Sequence, residues 1–389
     1  MHTLRDIDTS QLDNEARYIL ALSALDGTGP QTIRQLISFF GSAEAIFANG
    51  ASVANDLSVD LSQTLRNILG SIPAKREAAF AFADRQLEYV QRYNIQYLTY
   101  SSPSYPARLS TCPDAPVALF VMGKINFGTA KILSVVGTRQ PSAEGRDITE
   151  SIVGELCNQH PDLLIVSGLA YGIDITAHRA ALRAKRPTVA CVAHGLDRVY
   201  PYEHRADAQQ MVSNGGLVTE FPFGTKPEAY NFVSRNRIIA GLTDATLIVE
   251  SGVKGGSLIT VNKASEYGRQ VLAVPGFPNR ENSRGCNALI KNNVAHLVEN
   301  AQDIEAALSW DVPAAVRKVG GIQASLFAEP QTDEERAIVE TLRAEDGLTA
   351  SVIATRSHLA ISTVNVTLLQ MEFNGLVKSL PGNSYRLMI

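Results

Sequence analysis

Residues 251–260 read SGVKGGSLIT and follow the apolar run ATLIVE at 245–250. A lysine beside paired glycines, after a strand and ahead of a helix, suits a bound phosphate. The glycines bare backbone amides, and the helix start favours an anion. The spacing is not that of the nucleotide triphosphate loop, which places four residues between a glycine and Gly-Lys-Ser/Thr. The phosphate could therefore belong to a mononucleotide, a cofactor or a nucleic-acid backbone. Lys254, Gly255, Gly256 and Ser257 are the candidates here, against the alternative of a tight turn with a solvated lysine. From 251 to 295 six cations stand against two acids, in a chain whose formal net charge is −4.

Three further stretches offer related chemistry. In VVGTRQPSAEGRD, Gly137 lets backbone approach a ligand, Thr138 supplies a hydroxyl and Arg139 a forked cation. SGLAYGIDITAH repeats that logic with Ser167, Gly168 and Gly172. In NFVSRNRIIAG, Arg235, Asn236 and Arg237 could grip phosphates from a helix start, with Phe232 one turn earlier to stack on a base. Read in isolation, this last stretch favours the other assignment, with Phe232 in the core and the arginines paired to acids. Neither glycine loop carries G-x-G-x-x-G with an acid about twenty residues on, so no dinucleotide cofactor is expected.

Catalytic readings fare worse. His178, His194, His204 and His296 lack paired metal-ligand spacing, so no metal is expected. Ser167 is not in the G-x-S-x-G elbow of hydrolases. Glu220 and Glu250 both end strands, and a carboxylate pair for glycosidic-bond cleavage is conceivable. Strand-end carboxylates are more often structural, and Asp174 and Asp197 read as loop-capping acids. Cys112, Cys157, Cys191 and Cys286 are far apart, which argues against a zinc ribbon, a redox pair or a disulfide framework. The residues describe a binding surface more readily than a reaction centre.

The elements that must position these loops fall into three parts. Residues 1–82 show helical spacing in ARYILALSAL and QTIRQLISFF, joined through DGTGP. That is the pattern of a helix-hairpin-helix (SAM-like) domain, whose turn either contacts a phosphate or serves packing alone. From 83 to 308, the runs KILSVVG, LLIVSG, TVACVAHG, GLVTEF, ATLIVE and QVLAVPG alternate with helical stretches. Such continuous apolar strands predict an α/β fold, an extended Rossmann-like parallel sheet that binds ligands beyond its strand ends. Two peripheral strands precede it, in IQYLTYSSPSYPARL and APVALFVMG. Residues 309–331 read as a linker, and 332–389 as three helices and a hairpin, a winged helix. The first thirty residues carry acids, and no run approaches the roughly eighteen apolar residues of a membrane span. A cytoplasmic protein is expected.

Side by side, these loops resemble the DNA-processing protein A (DprA, also called Smf) family. The motifs VVGTRQPSAEGR, SGLAYGIDITAHRAAL, HGLDRVYP, TEFPFGTKP, NFVSRNRIIAGLTDATLIVES, KGGSLIT and VPGFPNRENSRGCNALI occur in the family's order. The resemblance implies a non-enzymatic protein that binds single-stranded DNA, protects it and loads the RecA recombinase during natural transformation. It also implies a homodimer, which doubles the grooves along one strand. Carried over by motif, the DNA-binding set is Gly137, Thr138, Arg139, Ser167, Gly168, Phe232, Arg235, Asn236, Arg237, Lys254, Gly255, Gly256 and Ser257. Thr138 stands where serine is common, Tyr171 where arginine is common and Gly255 where serine is frequent. Tyr171 or Phe223 could add stacking faces, as single-strand binders use.

Two other functions compete. A phosphoribohydrolase acting on nucleoside monophosphates also uses a glycine-rich strand–helix loop, but it needs an acid close behind. Here Thr260 is followed by Val261, Asn262 and Lys263, with Glu266 the nearest acid. A duplex-binding regulator would read DNA through the winged helix. Yet STVNVTLLQMEFNG, its recognition segment, lacks lysine and arginine, and residues 332–389 hold five cations against seven acids. That favours a protein-contact or regulatory role for this domain.

Overall fold

The computed structural model describes residues 9–56, 58–310, 332–344, 347–373, 376–380 and 384–387. Four helices come first: α1 (Thr9–Ser23), α2 (Pro30–Phe40), α3 (Ala43–Asn55) and α4 (Gln63–Arg92). Their stripes of Leu20, Ile33, Leu36, Ile46, Leu69 and Ile72 are fully buried together. Pro30 opens α2, where its missing N–H costs nothing, and Gly41 closes it at φ 88°. The DGTGP turn between α1 and α2 is tied internally, because Thr28 Oγ1 donates to the carbonyls of Leu22 and Leu25. Gly27 in that turn packs beside Ile68. The turn is thus held within the helical domain. Helix α4 runs across residue 82, where the sequence suggested a domain boundary.

The chain folds as two compact units, parting after Leu308. Within the first, α4 shares a buried apolar cluster with the sheet domain and is hydrogen-bonded to it at Phe223. The Gln86 side-chain amide both accepts from Phe223 N (2.8 Å) and donates to Phe223 O (3.3 Å). The Phe223 ring stacks on Tyr89 at 4.1 Å between centroids. Phe223 is therefore a joint between the helices and the sheet, and its face toward α4 is already occupied.

The sheet is built from β1 (Gln96–Thr99), β2 (Ala118–Gly123), β3 (Lys131–Val136), β4 (Leu163–Ser167), β5 (Thr188–Cys191), β6 (Gly215–Thr219), β7 (Ala245–Ile248), β8 (Gln270–Ala273) and β9 (His296–Leu297). Their order is β1-β2-β6-β5-β4-β3-β7-β8-β9. Strands β3 to β9 pair in parallel, whereas β1–β2 and β2–β6 are antiparallel. The peripheral strands foreseen in the sequence are β1 and β2. Every residue of β4 is buried, as a strand covered on both faces requires. The chain moves outward from β3 through β4, β5 and β6, then crosses back to β7 on the other side of β3. That reversal is a topological switch point, where α/β sheets open a crevice. The helices among these strands are α5 (Ala107–Ser110), α6 (Ala143–Gln159), α7 (Ile173–Arg183), α8 (Arg205–Ser213), α9 (Ala229–Gly241), α10 (Ser257–Glu266), α11 (Glu281–Lys291) and α12 (Ala301–Leu308).

One core histidine makes this domain sensitive to acid. His178 on α7 is fully buried, its Nδ1 shares a hydrogen with Thr188 Oγ1 (2.7 Å), and its Nε2 has no partner. Burial pushes its pKa down to about 3. Between the ordinary histidine value and about 3, the unfolded chain binds one more proton than the folded chain. The contribution of His178 is thus fully present above about pH 6.5 and is lost as pH falls, by up to about 1.4 kcal/mol per pH unit. Urea unfolding at pH 7, 6, 5 and 4 measures this slope, and His178→Gln makes it shallower.

The second unit holds α13 (Asp333–Ala344), α14 (Ala350–Ser357) and α15 (Ile361–Phe373), with a small sheet of β10 (Leu348–Thr349), β11 (Val377–Leu380) and β12 (Ser384–Leu387) in the order β10-β12-β11. A reciprocal cap starts α13: Glu335 N donates to Thr332 Oγ1 and Thr332 N to Glu335 Oε2. Ile338, Leu342, Ile353, Val364, Leu368 and Met371 form its core. The linker expected at 309–331 falls almost wholly outside the described residues. Among the described residues, no single helix is long and apolar enough to cross a membrane.

Candidate nucleic-acid interface

The loops after β3, β4 and β7 meet at the switch point and, with α9, enclose an open groove of about 660 Å³. The first two loops are locked to each other and to β7. Thr138 N donates to Glu250 O (2.7 Å), and Thr138 O accepts from Ile173 N (3.2 Å). Gly172 has φ 80°, and any side chain there would collide with Thr138 O. Glu250 then fixes the start of α6, because its carboxylate accepts from Ser142 N (2.9 Å) and Ser142 Oγ (2.6 Å). Ser142 in turn caps Gly145 N. A rigid frame results, with Arg139 exposed at its edge.

Arg139 forms no ion pair among the described residues, and its guanidinium lies 5.6 Å from the centre of the Phe232 ring. Phe232 is half-buried, so one part of the ring anchors α9 while the rest faces the groove. Helical spacing puts Phe232, Asn236 and Ile239 on the same wall. A cation beside an aromatic face can hold a phosphate and a base of the same nucleotide.

The β7–α10 loop forms the opposite lip. Ser251 is buried, and its hydroxyl accepts from Ser257 Oγ (2.9 Å). A side chain at Gly255 would collide with the Ser251 hydroxyl as it stands here, so glycine lets that hydroxyl sit against the loop. Helix α10 begins after Gly256 without a side-chain cap. The amides of Gly256 and Ser257 find no partner among the described residues, and both residues line the groove. Uncapped amides at a helix start are anion donors. Asn236 reaches this lip from α9, its amide 3.5 Å from Gly256 O. Lys254 is exposed in the same loop and unpaired among the described residues.

Not every sequence candidate reaches the groove. Ser167 is fully buried and donates to Val135 O (2.6 Å), so its hydroxyl holds β4 to β3. Gly168 is buried too, its N–H on Asp174 Oδ2 (3.1 Å) and its carbonyl taking Arg235 Nη1 (2.6 Å). Arg235 does line the groove, but it is 3% exposed and also bonds Cys191 O, tying the ends of β4 and β5 together beside Asp174. Arg237 points the other way and pairs with Glu220, both nearly buried. The pairing expected for an isolated motif thus describes Arg237, while Phe232 and Asn236 line the groove.

The acids are also engaged. Glu220 serves Arg237, Glu250 serves Ser142, and Asp197 accepts from Gly224 N (3.0 Å) while pairing with Arg198. Asp174 lines the groove, yet its carboxylate accepts from Gly168 N. Burial raises its pKa, countered by the nearby Arg235 charge. The positive excess of residues 251–295 is smaller in three dimensions than in the sequence. Lys263 pairs with Asp114 and Glu266, and Arg280 pairs with Glu144. Tyr200 lines the groove and packs on Phe232 at 5.7 Å, a site residue that sequence reading did not single out. Its position after a strand in HGLDRVYP was the available signal.

The sheet and its switch-point groove define a Rossmann-like protein that lacks the dinucleotide glycine pattern. The chain belongs to the DNA recombination-mediator protein A family, whose model matches residues 96–309, and the DprA winged helix domain matches residues 324–383. Protein Smf of Synechocystis sp. is 31% identical over 405 aligned residues, covering 96% of this chain and 99% of that protein. The X-ray structure of DNA processing protein A from Streptococcus pneumoniae superposes with a TM-score of 0.58 at 32% identity, over 75% of this chain and 97% of its own. A structure of DNA processing protein A from Helicobacter pylori, solved to describe its single-stranded DNA binding mode, gives a TM-score of 0.51 at 26% identity. It covers 57% of this chain and 99% of its own.

Proposed function

We propose that this protein binds single-stranded DNA in the switch-point groove, with backbone phosphates on the Gly256 and Ser257 amides, Arg139 and Lys254, and a base on Phe232. The observation that carries the proposal is the convergence on one groove of two unpaired amides, an unpaired arginine and a half-exposed aromatic ring. A relative whose single-strand binding mode has been described shares the fold, which supports the same reading. The site then comprises Gly137, Thr138, Arg139, Phe232, Asn236, Lys254, Gly255, Gly256 and Ser257. Ser167, Gly168 and Arg237 support it from behind, and Arg235, nearly buried, also lines it.

The role is non-enzymatic. Strand-end carboxylates that a hydrolase would use are engaged in holding loops and arginines. Within the family's pattern, the protein would protect incoming single strands in the cytoplasm and load RecA on them during natural transformation, acting as a homodimer. Fluorescence anisotropy with labelled single-stranded and duplex oligonucleotides tests the binding step, beside an assay for ribose phosphate released from nucleoside monophosphates. Preferred single-strand binding without release is the expected result. Release of ribose phosphate, or a duplex preference, would sink the proposal.

The winged helix is assigned a protein-contact or regulatory part. Helix α15 exposes Ile361, Val366 and Leu369, with no cation along it to meet phosphates. A chain ending at Leu308 should bind single strands as well as the full chain does, in the same anisotropy titration. Loss of binding on truncation would transfer the DNA contact to the second unit.

A further inference from the structure

Beside the groove, beyond Tyr200, stands a rim of aromatic side chains that the phosphate loops do not need. Tyr200 is 46% exposed, Tyr202 71% and Tyr171 42%. Monomeric proteins rarely leave such side chains clustered at the surface without a partner. The rim is held in place from behind. His204, close to the tyrosines in sequence, bonds Leu169 O through Nδ1 (2.8 Å) and packs edge-on against Tyr171 at 5.0 Å. Tyr171 donates its hydroxyl to Glu203 (2.8 Å), and Arg205 lies 6.0 Å from the Tyr202 ring centre. The 200–205 segment is therefore docked on the same loop after β4 that walls the groove through Ala170.

Building on the single-strand reading above, we infer that the strand leaves the groove over Tyr200 and stacks further bases on the rim of Tyr171 and Tyr202. The charges decide which side of the strand faces the rim. Arg205 is the cation there and Glu203 the acid, so a phosphodiester gains no net attraction. A base gains ring faces that are already held in position. Stacking on such platforms tolerates any base, which suits a strand of arbitrary sequence. Tyr171, standing where arginine is common in the family's pattern, gives up a charge and gains a stacking surface. Binding therefore extends several nucleotides beyond the phosphate loops on this side only.

The test is anisotropy with labelled oligothymidylates of increasing length, and with oligonucleotides of the same length whose outer nucleotides are abasic. Full-length protein should gain affinity from the added thymidines but not from the added abasic units. Tyr202→Ala with Tyr171→Ala should remove that gain, an effect of about 30-fold or more on long oligonucleotides. Short ones should be unaffected, and Tyr202→Phe with Tyr171→Phe should restore the gain. Equal binding of abasic and thymidine extensions, or an unchanged double alanine variant, would overturn the rim. Arg139→Ala run in parallel separates the two ideas. If it weakens oligonucleotides of every length while the tyrosine variants change nothing, the groove stands and the rim falls. If it weakens none of them, the groove reading falls and the rim with it.

Discussion

Replacing Arg139 and Lys254 together by alanine lowers single-strand affinity roughly a hundredfold at low salt, while the fold keeps its stability. Hydrogen bonds to charged groups contribute about 1.5–3 kcal/mol each, so losing two reaches that size. Both side chains are exposed and without ion pairs among the described residues, so their removal leaves no buried group behind. The salt dependence carries the mechanism more sharply than the affinity does. Each phosphate neutralised on a single strand contributes a slope of about −0.7, so the double variant should flatten the salt plot by about 1.4. Anisotropy titrations across several salt concentrations check both numbers. An affinity loss with the slope unchanged would mean that these cations shape the loops without touching phosphates.

Arg235→Ala is expected to unfold the site, so that DNA binding fails only as a consequence. The arginine is buried beside Asp174 and holds the carbonyls of Gly168 and Cys191, at the ends of β4 and β5. Its removal leaves two carbonyls without this donor and takes a positive charge away from buried Asp174, and each stranded acceptor costs about 1–3 kcal/mol. The melting temperature should fall by about ten degrees. Both carbonyls bond a single nitrogen, Nη1, so Arg235→Lys, which keeps the charge and one multiply donating nitrogen, should lose less stability than Arg235→Ala. Calorimetry on both variants checks this. A variant that melts like the parent but binds DNA weakly would instead make Arg235 a direct contact, as the sequence motif suggests.

Arg235 shows where sequence reading stops. Alternating strands and helices, the two peripheral strands, the three helices and hairpin at the end, and the loops that gather at the switch point were all legible from periodicity and glycine placement. Spacing also put Phe232 and Asn236 on one face of α9. What it did not reveal was the depth at which each arginine sits. Arg235 and Arg237 are two residues apart on a helix and so point in different directions. Only the tertiary fold decides that one meets carbonyls of β4 and β5 and the other meets Glu220. Ser167 was misplaced for a similar reason: a hydroxyl at a strand end can face a ligand or the neighbouring strand, and here it faces Val135. Phe223 looked free because its partners, Gln86 and Tyr89, lie 137 and 134 positions earlier on α4. The local charge excess around the β7–α10 loop was overestimated because acids as distant as Asp114 and Glu144 fold back onto it.

The central claim concerns where a single strand lies on this molecule, and amide hydrogen exchange with and without an oligothymidylate reads that location directly. The prediction is slower exchange in residues 137–142, 227–236 and 252–258, with the unpartnered Gly256 and Ser257 amides among the most protected. Protection confined to residues 347–387, or spread over α1 to α3, with the groove loops unchanged, would contradict it.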